Sequence, residues 1–244
     1  MRDATVIPLG DQYLVIASDN SGGIGRKEHD VVQVPYEIVS YYSFRVAVME
    51  CLSLGAIPTS VVLHNFCGDS EWATLVSGVE RGIREIGLNE ITITGSSETN
   101  MPLLQSALGV VVIGKKETNE LADIRIGKLR FAVIGEPLVG EEVDSQESAI
   151  APLALFRWMC EHEGVRGVIP VGSKGILYEL NQLVSSSVHI KEEMVQVDLY
   201  LHKSAGPSTC FIVAYEDAVH EQMRNEAGSH FYQMEVEIEE ASEK

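Results

Sequence analysis

With 244 residues, 45% of them hydrophobic, the chain is long enough to bury one large core or two of about 120 residues each. Its formal net charge of −18 argues against nonspecific nucleic-acid binding, which draws on a basic surface. No apolar run approaches the ~20 residues needed to span a bilayer, and Met1-Arg2-Asp3 opens no secretory signal, so a cytoplasmic protein with no membrane partner is expected.

In chain order, Val6 to Leu9, Tyr13 to Ala17 and Val31 to Val34 read as strands. Pro35 then precedes a helix from about Tyr36 to Leu54, closed by Gly55, with Ile38, Tyr42, Val46, Met49 and Leu52 on or near one face. Thr59 to Phe66 is β-rich, Ser70 to Ile86 is helical up to Gly87, and Ile91 to Thr94 and Leu103 to Ile113 supply two more strands. Gly114 to Lys128 carries glycines and charges and marks a boundary. This divides the chain into an N-terminal domain over 1–116, a linker over 117–128 and a C-terminal domain over 129–244. Past the boundary, Leu129 to Ile134 begins a second block. Its helices are expected near Ser148 to Glu163, Gly175 to Leu183 and Asp217 to Ala227, and its strands near Val195 to Leu201, Cys210 to Ala214 and Phe231 to Ile238. The fold class is α+β in two domains.

The segment Asp19-Asn20-Ser21-Gly22-Gly23-Ile24-Gly25-Arg26-Lys27 is the most chemically suggestive. Glycine lets backbone N–H groups approach a polyanion, Arg26 and Lys27 add positive charge, and Asp19 offers a carboxylate to magnesium. That is the chemistry of a nucleoside triphosphate site. The run matches neither common phosphate loop, since Glu28 follows Lys27 and no third glycine completes a dinucleotide turn. An ordinary glycine-rich hairpin fits the residues equally well.

Four cysteines, Cys51, Cys67, Cys160 and Cys210, show no C-x-x-C pair and signal neither zinc nor a disulfide framework. The acidic run Glu235 to Glu243 reads as a solvated surface. Pro170-Val171-Gly172-Ser173-Lys174-Gly175 places Ser173 and Lys174 at a helix start, where an anion site and a plain cap compete.

The order of motifs is informative. The glycine segment is followed by a helix ending in Leu54-Gly55-Ala56-Ile57-Pro58, and then by Gly95-Ser96-Ser97-Glu98-Thr99-Asn100-Met101-Pro102. Residues 12 to 116 thereby resemble the aminoimidazole ribonucleotide synthetase superfamily, with its selenophosphate synthetases, hydrogenase-maturation dehydratases and thiamine monophosphate kinases. The resemblance implies an N-terminal mixed sheet with helices on one face, a homodimer whose N-terminal strands build a shared barrel, and a C-terminal domain here shortened. It also implies ATP with Mg2+. On that basis Asp19 and Lys27 are the expected catalytic residues. Gly22, Gly23, Gly25, Lys27 and Glu98 are expected to hold ATP, while Asp19, Glu50 and Glu98 hold metal.

Two positions depart from the family pattern: Met49-Glu50 stands where an Asn-Asp or Ser-Asp pair is usual, and Ser96-Ser97 replaces two glycines. Asp30 is a further possible ligand. His64 and Asn65, at a strand end, are expected to face substrate. Within the superfamily the Ser-Gly-Gly-Ile-Gly-x-Lys run most resembles α-ribazole kinases of cobalamin salvage. The expected function is therefore ATP-dependent phosphorylation of a small-molecule alcohol, the 5′-hydroxyl of α-ribazole first. A thiamine monophosphate kinase-like enzyme, a ligase or dehydratase, and a non-catalytic nucleotide-binding protein are the alternatives.

Overall fold

The computed structural model describes residues 4–119, 124, 126–184 and 188–237. It divides into two compact units, 1–120 and 121–244, and the division falls inside the stretch expected as a linker.

In the first unit, β1 (Ala4–Leu9) and β2 (Gln12–Gly22) form a hairpin with Ala4 opposite Ala17. Short β3 (Ile24–Gly25) and β4 (Val32–Gln33) pair in parallel beyond it. Helix α1 (Tyr36–Ser53), β5 (Ile57–Asn65), helix α2 (Trp72–Glu85), β6 (Thr92–Ser97) and β7 (Ala107–Lys116) follow. The five long strands make one sheet in the order β1-β2-β7-β5-β6, mixed because β5 and β6 run parallel while the other neighbours are antiparallel.

The period of two in a strand sorts this sheet into two faces. Val15, Ala17, Leu63, Val110 and Val112 are fully buried beneath α1. Their neighbours Leu14, Ile16, Val62, Val111 and Ile113 point the other way and are only half-buried. Both helices lie on the first face, as the resemblance implies.

Two readings change here. The apolar positions expected on one face of α1 divide: Ile38, Tyr42 and Val46 are half-exposed, whereas Met49 and Leu52 are buried together with Val39, Phe44, Ala47 and Val48. α1 lies between the sheet and α2, so most of its circumference is covered and no single apolar stripe marks it. The two helices cross where α2 presents Gly78 and Gly82, and Tyr41 on α1 donates its hydroxyl to Glu85 at 2.5 Å with the Arg81 guanidinium 4.3 Å over its ring. The second change is β2, expected to stop at Ala17. It runs on through Asp19 and Asn20 to Gly22, because each of these residues finds a backbone partner on β7.

The second unit contains β8 (Arg130–Ile134), α3 (Glu142–Ser145), α4 (Leu153–Glu161), β9 (Val165–Pro170), α5 (Ile176–Leu183), β10 (Val195–Gln196), β11 (Phe211–Tyr215), α6 (His220–Ala227) and β12 (Phe231–Val236). Its sheet is antiparallel throughout, in the order β10-β12-β8-β11-β9. All of β11 is buried. One side, with Ile212 and Ala214, packs in a cluster with Ile176 and Leu180 of α5, and on the other Phe211 meets Phe156 of α4 edge-on at 4.9 Å.

Two expectations for this half are corrected. The helix over Ser148 to Glu163 starts only at Leu153, behind Pro152, and the strand over Val195 to Leu201 shrinks to two residues. β9 carries no expectation from the sequence at all. The end of the Phe231 to Ile238 strand and much of the acidic run lie outside the described residues. No helix among the described residues is long and apolar enough to cross a membrane.

Candidate functional site

The carboxyl-terminal end of β2 leads into a tight loop in the first unit. Gly23, at φ +69, turns the chain, and its carbonyl accepts from the N–H groups of Val31 and Val32 at 2.7 and 3.3 Å. Gly25 is buried where no side chain fits, since a Cβ there would lie 2.5 Å from both Ser106 Oγ and a ring carbon of Tyr36. Local chemistry therefore explains two of the three glycines as packing and turn residues.

Against this loop lies a groove of about 930 Å³. Gly22, Gly23, His29 and Val31 line it together with Phe66 and the segment Leu103 to Ala107. Its apolar components are unusually open: Val31 is 84% exposed and Leu104 60%. Lys27 stands beside it, donating from Nζ to the Phe66 carbonyl at 2.7 Å. A concave, mostly apolar wall with a cation at its edge suits a flat heterocycle carrying an anionic tail.

The sequence-derived site residues distribute as follows. Gly22, Gly23 and Lys27 adjoin the groove, and Asp19 lies on β2 three residues before Gly22, on the helix-covered face. The N–H groups of Gly23 and Lys27 do not cradle a ligand here; they donate to the Ser106 carbonyl at 2.8 Å and to Asp30 Oδ2 at 2.8 Å. That corrects the expectation of a bare amide cradle.

Asn65 is also reassigned. It is 1% exposed, donates to the Gly68 carbonyl and to Ser97 Oγ at 2.9 Å each, and accepts from the Cys67 N–H at 2.8 Å. It shapes the turn carrying Phe66 rather than facing a substrate. His64 is exposed, on the opposite face of the sheet from α1. Glu98 bends onto its own loop, accepting from the Asn100 and Met101 N–H groups at 2.6 and 3.2 Å.

The metal triad does not assemble within one chain. Asp19 lies on β2 and Glu98 in the loop that follows β6, with two strands between β2 and β6, about 14 Å at ordinary strand spacing. Glu50 sits one turn from the far end of α1, where neighbouring Cys51 packs on Gly114, itself opposite Val15. That row is four residues, about 13 Å, from Asp19. Among the described residues no group of three His, Cys, Asp or Glu side chains is placed to hold a metal ion. The donor set of Asp19, Glu50 and Glu98 therefore does not fit a resident magnesium.

Asp30, Ser106, Tyr36 and Phe66 are what the sequence reading missed or misassigned. Ser106 lies 76 residues from Asp30, and no local pattern links them. The stretch Leu103 to Ser106, expected as strand, instead precedes β7 and walls the groove.

The architecture of a mixed sheet with two covering helices, followed by a second α+β unit, is a fold shared with solved structures of a thiamine monophosphate kinase, of HypE and of PurL. Among solved structures sharing it is the thiamine monophosphate kinase from Aquifex aeolicus, 11% identical, with a TM-score of 0.62 over 97% of this chain and 89% of that one. HypE from E. coli, a hydrogenase maturation protein, is 15% identical with a TM-score of 0.59, over 91% of this chain and 79% of its own. PurL from T. maritima, in complex with ADP, is 17% identical with a TM-score of 0.59, covering 98% of this chain but 42% of the longer PurL chain. No family model and no curated protein sequence matches the chain.

Proposed function

We propose that the chain is an ATP-dependent enzyme that transfers a phosphoryl group to a small-molecule alcohol. The observation that carries the reading is the groove beside the glycine segment, with Lys27 at its edge, on a fold shared with AaThiL complexed with AMPPCP and TMP and with PurL complexed with ATP. In this reading the apolar wall of Val31, Phe66 and Leu104 holds the base. Lys27 leaves the Phe66 carbonyl for the phosphates, and the acceptor hydroxyl attacks the γ-phosphorus as the bond from phosphorus to the β,γ-bridging oxygen breaks, ADP departing and the hydroxyl proton passing to water. Catalysis of this kind is positioning and charge neutralisation, so no covalent nucleophile is needed. Magnesium enters as the counter-ion of the triphosphate substrate.

The proposed acceptor is the 5′-hydroxyl of α-ribazole, on the strength of the motif Ser21 to Lys27 alone. Incubation with ATP, magnesium and a panel of alcohols that includes α-ribazole and thiamine monophosphate tests it. ADP that appears only with α-ribazole supports this acceptor, and ADP with another compound replaces it. The absence of a converging carboxylate triad among the described residues favours a second reading, nucleotide binding without turnover. Calorimetric heat on ATP titration with no ADP formed under any acceptor would select it.

The open face of the first sheet supports the proposed homodimer. Leu14, Ile16, Val111 and Ile113 are half-buried there, and Ile7 and Leu9 are 41% and 64% exposed. A second copy laid on this face would remove that apolar surface from water. Ile16→Asp is expected to yield monomers in sedimentation equilibrium with far-ultraviolet circular dichroism unchanged. A wild-type monomer at tens of micromolar would defeat the dimer proposal.

A further inference from the structure

We propose that Asp30 is a positioning residue that fastens the glycine segment to the start of β7 through Ser106, and that this fastening sets the affinity for nucleotide. The inference rests on the nucleotide reading above. Asp30 is buried, 8% exposed, in a turn whose neighbours Glu28, His29 and Val31 are all exposed. A carboxylate taken out of water is costly unless its lone pairs are met. Here three donors meet them: Ser106 N–H reaches Oδ1 at 2.6 Å, while Ser106 Oγ and Lys27 N–H reach Oδ2 at 2.6 and 2.8 Å. With the Ser106 hydrogen given to Asp30, the Tyr36 hydroxyl 2.7 Å away becomes the donor to Ser106 Oγ.

One chain of hydrogen bonds thus joins Lys27, two residues past Gly25, to the first turn of α1 and the start of β7. Gly25 is enclosed by it, since any side chain would strike Ser106 and Tyr36. Burial raises the Asp30 carboxyl, yet the hydrogen bonds from Ser106 and Lys27 and the nearby Lys27 charge outweigh it and hold the group below its ordinary value. Both oxygens are committed to protein donors, so the role is to hold the loop and not to ligate a cation. The functional consequence runs through Lys27, whose backbone is pinned by Asp30 and whose ammonium group borders the groove. Pinning removes the entropy that a free loop would lose on gripping a phosphate.

The test is calorimetric titration of ATP with magnesium at 25 °C into the wild type, Asp30→Asn, Ser106→Ala and the double variant, with circular dichroism of each. Either single change is expected to weaken ATP binding by about tenfold, the size of one charge-assisted hydrogen bond. The double variant is expected to bind within about twofold of Asp30→Asn, because both changes open the same link. Adding Lys27→Ala on top of Ser106→Ala is expected to cost less than Lys27→Ala alone, a coupling that a purely structural role would not produce. Ser106→Ala keeps the carboxylate and the Ser106 N–H, so it carries the measurement if Asp30→Asn does not fold. Folded single variants that bind ATP as the wild type does, or fully additive losses, would overturn the latch alone. A wild type that binds no ATP overturns both this inference and the nucleotide reading.

Discussion

Gly78→Ala is expected to lower the melting temperature by on the order of 10 °C. The added Cβ would lie 2.1 Å from Ser40 Oγ and 2.2 Å from the Glu37 carbonyl oxygen. The serine hydroxyl can rotate away. The carbonyl cannot, because it belongs to the first turn of α1, whose opposite side rests on the sheet. Alanine in a helix interior is favoured over glycine by about 1 kcal/mol, and overpacking against fixed backbone costs about 3 kcal/mol, so the loss wins. Relief by sliding α2 outward is opposed one turn later, where Gly82 stands against the Phe44 ring, which is fully buried. Thermal unfolding followed by circular dichroism measures the shift. An unchanged or raised midpoint would mean that the two helices pack less closely than described.

Lys27→Ala is expected to lower ATP turnover more than a hundredfold while leaving the melting temperature without ligand nearly unchanged. Lys27 is half-exposed, and its ammonium group donates to one exposed carbonyl, a contact of about 1 kcal/mol in the folded chain. Against a developing phosphoryl charge the same ammonium is worth roughly 3 kcal/mol, more than a hundredfold in rate. Coupled assays of ADP release, read beside melting curves, separate the two roles. Loss of folding in this variant would return the glycine segment to a structural hairpin.

The parts of the fold legible in the sequence are those whose signals are local. Pro35 and Gly55 bracket α1, and Gly87 follows α2, so the helix limits fall within a few residues of their expected positions. The extension of β2 is not local: Ser18, Asp19, Asn20 and Ser21 have the composition of a loop, and only the ladder to β7 makes them strand. β9 is concealed by Gly167, where an added Cβ would lie 2.9 Å from the Leu183 side chain and 3.0 Å from that of Ile124, and by Pro170 at its end.

The site divides in the same way. Lys27 and the glycines announce themselves by composition. The groove that gives them meaning is closed by Phe66 and Leu103 to Ala107, which meet them only through the sheet order. The carboxylates at 19, 50 and 98 share a plausible sequence pattern but stand at separate ends and edges of the unit. Spacing along a chain does not encode that separation.

The pairing of β2 with β7 has a consequence for how the chain is made. The hairpin is synthesised well before residues 107 to 116, the strand that completes its inner edge. Until those residues arrive, the nascent hairpin has a bare edge and an uncovered apolar flank, in a topology whose long sequence separation slows closure. The interval between the two is thus one in which this polypeptide is exposed to mispairing with its neighbours, and in which a holding chaperone would shield it.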